Sequence, residues 1–385
     1  MSRLGVSEAV AILGLAAAAF AYKATLNVVT ARDGAEARRK LAYCAVAIPR
    51  EVLCTAVRYR VTLAACRLPV DGPVAVLPWV AALWPLTIFE SQGIQFTADR
   101  YSQRPVVGLC ATQAWSCLRV AVVEAVGMLT ALHQTGFVDA ANPGRATAAT
   151  LLRMLWMAPV FDCGLDLGFY VFHRACHESP LLYRLVHKEH HTDTAKRHGR
   201  LVAYETYTLT WAETFLISFA YLLGFAFVFA ALALGAAATG AGLGWPRALT
   251  AFEFAMLITW GHTVELVGHT AISNTPKHHP MRAAVEWLGL DLLVIDHTMH
   301  HRIPLSNYSK RMTFWDVVCG TYSPRDENVT YQAGDEFLLC AATAKGTNAA
   351  PTAATVATPQ RRRSVTPKGG KATAGRRGST PKRRK

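Results

Sequence analysis

Thirteen of the fourteen histidines fall between residues 173 and 301, and their spacing suits metal chemistry. His173-Arg-Ala-Cys-His177 is HxxxH, while His187-Lys-Glu-His190-His191 and His297-Thr-Met-His300-His301 are both HxxHH. On a helix, positions three or four apart share a face, so each cluster stacks imidazoles about a turn apart. Neighbours in an HH pair diverge by about 100° and can reach two different ions. Eight imidazoles are too many for one ion and about right for two. His262 and His269 are seven apart, at nearly one helical angle, with Glu265 between them. Both join the candidate ligands. His198, His278 and His279 match no cluster and read as loop histidines, and His133 reads as incidental.

Ligand type narrows the metal only partly, because imidazole suits Zn, Cu, Fe and Ni alike. A structural zinc site closes with four ligands and often uses thiolates. The nine cysteines contain no CxxC pair and several sit in apolar runs, which reads as buried, reduced thiols. HExxH and HxxEH are both absent, which excludes those metalloprotease arrangements. The pattern therefore points to a dinuclear centre with redox work. The competing class is a membrane transporter or sensor of Zn or Cu, which should place its ligands near the bilayer midplane on discontinuous helices. Here they crowd the polar ends of the apolar runs.

The elements that must position these rings are membrane helices. Of 385 residues, 52% are hydrophobic and 17% charged, well below the ~25% charge of soluble domains. The net charge of +14 is concentrated in residues 341–385, which hold twelve Lys or Arg and no acid; the remaining 28 basic and 26 acidic residues leave +2. The candidate spans are Ala11–Val29, Val74–Phe89, Val106–Leu132, Thr150–Phe172, Phe215–Leu243 and Ala248–Gly268, some short or broken by Pro78, Pro85 or Pro246. Four to six cross. The first run reads as an anchor rather than a cleaved signal, since Lys23, Arg32, Arg38, Arg39 and Lys40 follow it and only Arg3 precedes it.

Two polar, histidine-rich stretches, residues 173–204 and 274–336, carry Lys and Arg and are expected on the cytosolic side. The two apolar runs between them meet at residues 240–246, a hairpin that returns the second stretch to the side of the first. Asn307 and Asn328 head glycosylation acceptor triplets and, on that side, stay unmodified. After about residue 339 the chain is Ala, Thr, Pro, Gly, Lys and Arg, a composition expected to be disordered and to meet anionic lipid rather than nucleic acid. The expectation is an all-α, multi-pass transmembrane helical bundle with a cytosolic histidine-rich cap. Its divisions are N-terminal membrane segments at 1–148, a catalytic domain at 149–339 and a basic tail at 340–385.

The stretch Asp166–Thr321 resembles the fatty acid hydroxylase / sterol desaturase superfamily of membrane-bound, histidine-rich di-iron oxygenases. The resemblance rests on HxxxH, HxxHH, a lone histidine after a returning hairpin, and a second HxxHH. It extends to Asp166, to the His173-Arg174 pair, to Gly268-His269-Thr270, and to Asn307-Tyr308, Phe314-Trp315-Asp316 and Gly320-Thr321. Three departures bear on the substrate: Thr298 where many members have Asp, Thr270-Ala271-Ile272 after His269, and Glu205 and Glu213 where a His-Pro-x-Glu element is common.

The resemblance implies two non-haem irons, O2, and electrons from a separate donor of the cytochrome b5 type. The implied substrate is a membrane lipid, leaning to a sterol attacked at a C-4 methyl or C-5 type position, with long-chain acyl and sphingoid lipids as the other branch. The endoplasmic reticulum membrane is the expected location. The expected ligands are His173, His177, His187, His190, His191, His262, His269, His297, His300 and His301. Carboxylates expected to fix imidazole tautomers are Asp166, Glu265 and Asp296, with Asp162 and Glu189 behind them.

Overall fold

The computed structural model describes residues 33–67, 73–102, 105–139, 147–191, 201–238, 248–270, 283–292, 294–302 and 304–323, with scattered positions between 21 and 31 and between 141 and 144. Most of the N-terminal apolar run, His198, His278, His279, Asn328 and the basic tail lie outside the described residues.

The architecture is all-α. Among the described residues six long helices run α1 Gly34–Ala65, α2 Leu77–Tyr101, α3 Ala111–His133, α4 Ala148–Glu178, α5 Trp211–Ala238 and α6 Ala251–Gly268. Three short ones follow, α7 Ala283–Trp287, α8 Val294–Arg302 and α9 Phe314–Val318. Local chemistry sets several starts. Asp33 caps α1 by accepting from Glu36 N at 2.7 Å, Thr147 caps α4 through Thr150 N, and Thr250 with Glu253 forms a reciprocal capping box on α6.

Among the described residues, three helices are long and apolar enough to cross a membrane, α3, α4 and α5. The runs expected at 74–89 and 248–268 do form helices in the same bundle, but α2 carries Glu90, Asp99 and Arg100, and α6 carries Glu253, His262 and Glu265. Pro85, expected from sequence to break its run, does not do so: α2 continues through it to Tyr101. Helices of this kind keep an internal proline because neighbouring groups satisfy the freed carbonyl. Helix α1 escaped the hydropathy reading because Arg50, Arg58 and Arg60 interrupt it, yet Arg50 and Arg58 are buried against other helices.

Helices α4 and α5 pack at a close approach that only small residues permit. A Cβ on Gly164 would lie 2.7 Å from Leu223 O, and one on Gly224 would lie 2.9 Å from the Phe161 ring. Helix α6 runs through the centre with nearly every residue buried, in a core that includes Phe161, Leu165, Met157 and Leu232 of its neighbours. Glu213 near the start of α5 and His269 just after α6 both reach the histidines (His187 and His190), so this pair leaves and returns to one end of the bundle.

Candidate metal centre

Nine imidazoles converge at that end in two adjoining groups. His173, His177, His187, His191 and His300 form one, and His190, His269, His297 and His301 form the other. Within each group one ring nitrogen per residue lies within 4.8 Å of all the others. The helical step divides each HxxHH as its geometry requires. His187 and His191 join the first group while His190 faces the second, and His297 and His301 join the second while His300 faces the first. The groups touch: the His191 and His301 ring centroids are 4.5 Å apart. His187 closes a π-turn, Tyr183–His187, which adjusts the register of this short helical stretch.

The donor atoms fit metal ions. His187 Nε2 lies 3.0 Å from His173 Nε2 and 2.9 Å from His191 Nε2. In the second group His269 Nε2 lies 3.2 Å from His190 Nε2 and 3.1 Å from His297 Nε2, and His301 Nε2 is 3.1 Å from His297 Nε2. At a metal–nitrogen distance of ~2.1 Å, neighbouring ligands of one ion sit ~3.0 Å apart. His177 Nε2 and His300 Nε2 are buried without a hydrogen-bond partner, which suits lone pairs aimed at a cation.

Burial first, then neighbouring imidazoles, holds His190, His191 and His301 well below the ordinary histidine value. For His269 and His297 burial comes first and Lys310 second, and His300 is pushed down to about 3, chiefly by burial. Neutral rings of this kind are the protonation state that binds a metal.

Four of the other ring nitrogens have a defined partner, three of them on the backbone. His173 Nδ1 faces Tyr308 O at 2.7 Å, His300 Nδ1 faces Ser306 O at 2.8 Å, and His269 Nδ1 faces Glu265 O at 3.1 Å. His187 Nδ1 instead meets the Glu213 carboxylate, Oε1 at 2.5 Å. Each acceptor leaves Nε2 as the ligand atom. Two of these carbonyls belong to the loop 306–312, and two buried carboxylates shape that loop. Asp316 accepts from Tyr308 N and Ser309 N at 2.8 and 2.9 Å, and Asp166 accepts from Lys310 N, Arg311 N and Met312 N at 2.7–3.1 Å. Asn307, at φ 55°, turns the loop and is fully buried, with its Nδ2 donating to Asp296 O and Ser323 O. A side chain so placed cannot carry a glycan in the folded protein.

Several expected roles change in this light. His262 joins neither group: two helical turns before His269, it contacts Arg58 and Tyr207 inside the bundle. Asp166 bonds no imidazole and instead organises the loop. Glu265 reaches its histidine through a backbone carbonyl, while its carboxylate pairs with Arg311 at 2.9 Å. Asp296 is buried, its carbonyl accepting from Asn307. Asp162 accepts from Trp260 Nε1. His133 is exposed.

Sequence reasoning missed Glu213, Asp316 and Lys310 as site residues. The first two stood inside quoted motifs, but no spacing rule announces a carboxylate that acts across 26 residues or through a loop. Lys310 Nζ enters the second group, 2.8 Å from His297 Nε2 and 3.0 Å from His269 Nδ1, and 3.7 Å from Glu265 Oε2. Burial brings its amine down to about 7, with Glu265 acting the other way.

Residues 158–321 match the family model described as fatty acid hydroxylase. Fatty acid hydroxylase vlmA of Lecanicillium sp is 29% identical over 205 residues, 50% of this chain and 50% of that protein. The cholesterol 25-hydroxylase-like protein of Danio rerio is 26% identical over 255 residues, 63% of this chain and 90% of that protein. Alkylglycerol monooxygenase of Xenopus tropicalis is 26% identical over 198 residues, 47% of this chain and 34% of that protein. This chain thus spans half the length of the first relative and about a third of the last. No solved structure matches it. All nine clustered histidines, and the loop that orients them, fall inside the segment that matches the fatty acid hydroxylase family model, so the resemblance covers the whole candidate metal centre.

Proposed function

We propose that this protein is a membrane-embedded oxygenase that uses two iron ions, O2 and electrons from a separate donor protein to hydroxylate, oxidise or desaturate a lipid. The observation that carries the reading is the pair of adjoining imidazole groups at one end of an apolar bundle. Two groups of neutral nitrogen donors, without thiolates, suit a redox-active pair of ions better than a structural zinc. The relatives' names, two hydroxylases and a monooxygenase, point the same way.

Bound irons would supply the O2 chemistry that removes hydrogen from an unactivated C–H bond, which no side chain can do. The protein's part is to hold and orient. His173, His177, His187, His191 and His300 would hold one ion, and His190, His269, His297 and His301 the other. The carbonyls of Tyr308, Ser306 and Glu265 and the carboxylate of Glu213 keep the remaining ring protons in place. The apolar surroundings limit water.

The favoured substrate is a sterol, with a long-chain acyl or sphingoid lipid as the other branch. The location that fits is the endoplasmic reticulum membrane, with the histidines cytosolic and a cytochrome b5-type donor docking there. The test is metal analysis of the purified full chain together with O2-dependent lipid turnover, in wild type and in His190→Ala and His300→Ala. Two irons per chain and loss of turnover in both variants are expected. One exchangeable zinc, or wild-type turnover in either variant, would overturn the assignment.

A further inference from the structure

Midway along the bundle, away from the histidine groups, four helices each place one ionisable side chain at a single point. Arg58 of α1 donates Nε to Glu124 Oε1 of α3 and Nη2 to Glu90 Oε2 of α2, both at 2.8 Å, and its Nη2 also reaches His262 Nδ1 of α6 at 3.1 Å. All four side chains are at most 8% exposed. Ionisable groups inside a membrane bundle are costly and mark function by default. Arg58, Glu124 and His262 of this cluster line a cavity of about 340 Å3 between α3, α5 and α6, whose wall is mostly apolar but also includes Ser218, Tyr221 and Glu265. Ligand pockets begin at about that size. Val126, Phe215 and Phe219, at 44%, 58% and 67% exposure, line it between α3 and α5, so the opening faces the bilayer's hydrocarbon rather than water.

The hydrogen bonds define what the polar end can accept. Arg58 can only donate, so His262 Nδ1 is an acceptor, for Arg58 and also for the Tyr207 hydroxyl at 3.0 Å. The His262 proton therefore sits on Nε2. That N–H faces Glu124 Oε2 at 3.5 Å, too far for a good bond, and Glu124 Oε2 is buried with no hydrogen-bond partner. At this end the lining sets the His262 donor beside the Glu124 acceptor. A hydroxyl satisfies both at once, accepting from His262 and donating to Glu124. An ammonium would oppose the His262 N–H, a carboxylate would oppose Glu124, and an alkane would leave both unpaired.

We propose that this cavity binds a neutral lipid by its hydroxyl group, held between Glu124 and His262. Taken with the oxygenase reading, on which this step rests, the lipid held here would be of the class the same chain oxidises. Glu265, four residues before His269, is also part of the lining.

The test is direct binding to the full chain in detergent, stripped of metal so that lipid recognition is read apart from catalysis. The probes are octadecan-1-ol and cholesterol as hydroxyl lipids, with octadecane, octadecylamine, octadecanoate and octadecan-2-one as comparators. One or both alcohols should bind at least about tenfold tighter than the alkane, amine and acid, and the tighter of the two names chain or ring. In Glu124→Gln, Arg58 keeps the amide oxygen and the NH2 turns to the cavity, so preference should pass from the alcohol to the acceptor-only ketone.

Gly127 lines the cavity, and a Cβ there meets open space, so Gly127→Leu should fill it, abolish alcohol binding, and retain thermal stability and iron loading. Equal binding of alcohol and alkane, or wild-type alcohol binding in Gly127→Leu, would overturn the proposal. Alcohol binding by a protein that loads no iron would uphold it and sink the oxygenase reading instead.

Discussion

Glu213 offers the sharpest test of how the site is held. Its carboxylate is almost fully buried and meets His187 Nδ1 at 2.5 Å, where His173 and His300 of the same group meet backbone carbonyls instead. Glu213→Gln keeps the shape and an accepting oxygen but removes the charge. A hydrogen bond to a charged group contributes about 1.5–3 kcal/mol and a neutral one about 0.5–1.5, so the exchange costs about 1–1.5 kcal/mol. That is roughly a tenfold loss of iron affinity, within the 10–100-fold range seen when a ligand's outer partner is changed. Glu213→Ala, which leaves the ring proton unpaired, should lose closer to ~100-fold. The assay is competition for iron against a graded series of chelators, on full chain in detergent at fixed pH. Metal held by the five-histidine group should weaken and metal at the four-histidine group should hold, because Glu213 contacts His187 of the first group. The control is Glu178→Gln, whose exposed pair with Arg174 should matter little. Iron affinity within twofold of wild type in Glu213→Gln, or equal weakening of both irons, would refute the reasoning.

Asp166→Ala removes the acceptor of three backbone N–H groups and should lower stability by several kcal/mol, at about 1–3 for each buried donor left unpaired; thermal melting of the full chain reads it. Gly164→Ala drives a methyl to 2.7 Å from Leu223 O and should cost about 1–3 kcal/mol in the same measurement, a wild-type melting temperature counting against the close α4–α5 contact. Stability of the metal-free protein should also fall as pH drops below about 6.5. The folded state holds His190, His191, His269, His297, His300 and His301 neutral, His300 down to about 3, whereas the unfolded chain protonates them near 6.5. The unfolded state then binds more protons, so each such ring removes about 1.4 kcal/mol per pH unit below ~6.5 and nothing above it. A melting temperature that stays flat from pH 8 to 5 would show the rings are not held neutral.

Much of the centre was legible in the sequence because a helix converts spacing into direction. HxxxH and HxxHH carry their geometry with them, so the parting of His190 from His191 follows from the 100° step, while the side that His187 takes was left to the fold. The apolar runs foretold the bundle for the same reason: length and composition are local properties. His262 shows where that logic stops. By helical angle it matches His269, yet angle says nothing of depth, and two turns of rise carry it to Arg58 instead.

The amino-acid sequence by itself determined an all-α membrane bundle with two histidine groups, since both follow from periodicity within single helices. Only the tertiary structure decided which carboxylates serve the site. It assigned Glu213 to His187, turned Asp166 and Asp316 to the loop at 306–312, and gathered Arg58, Glu90, Glu124 and His262 from four helices. Those contacts join residues up to 204 positions apart, and a hydrogen bond across such a distance depends on how helices pack, which no local pattern encodes.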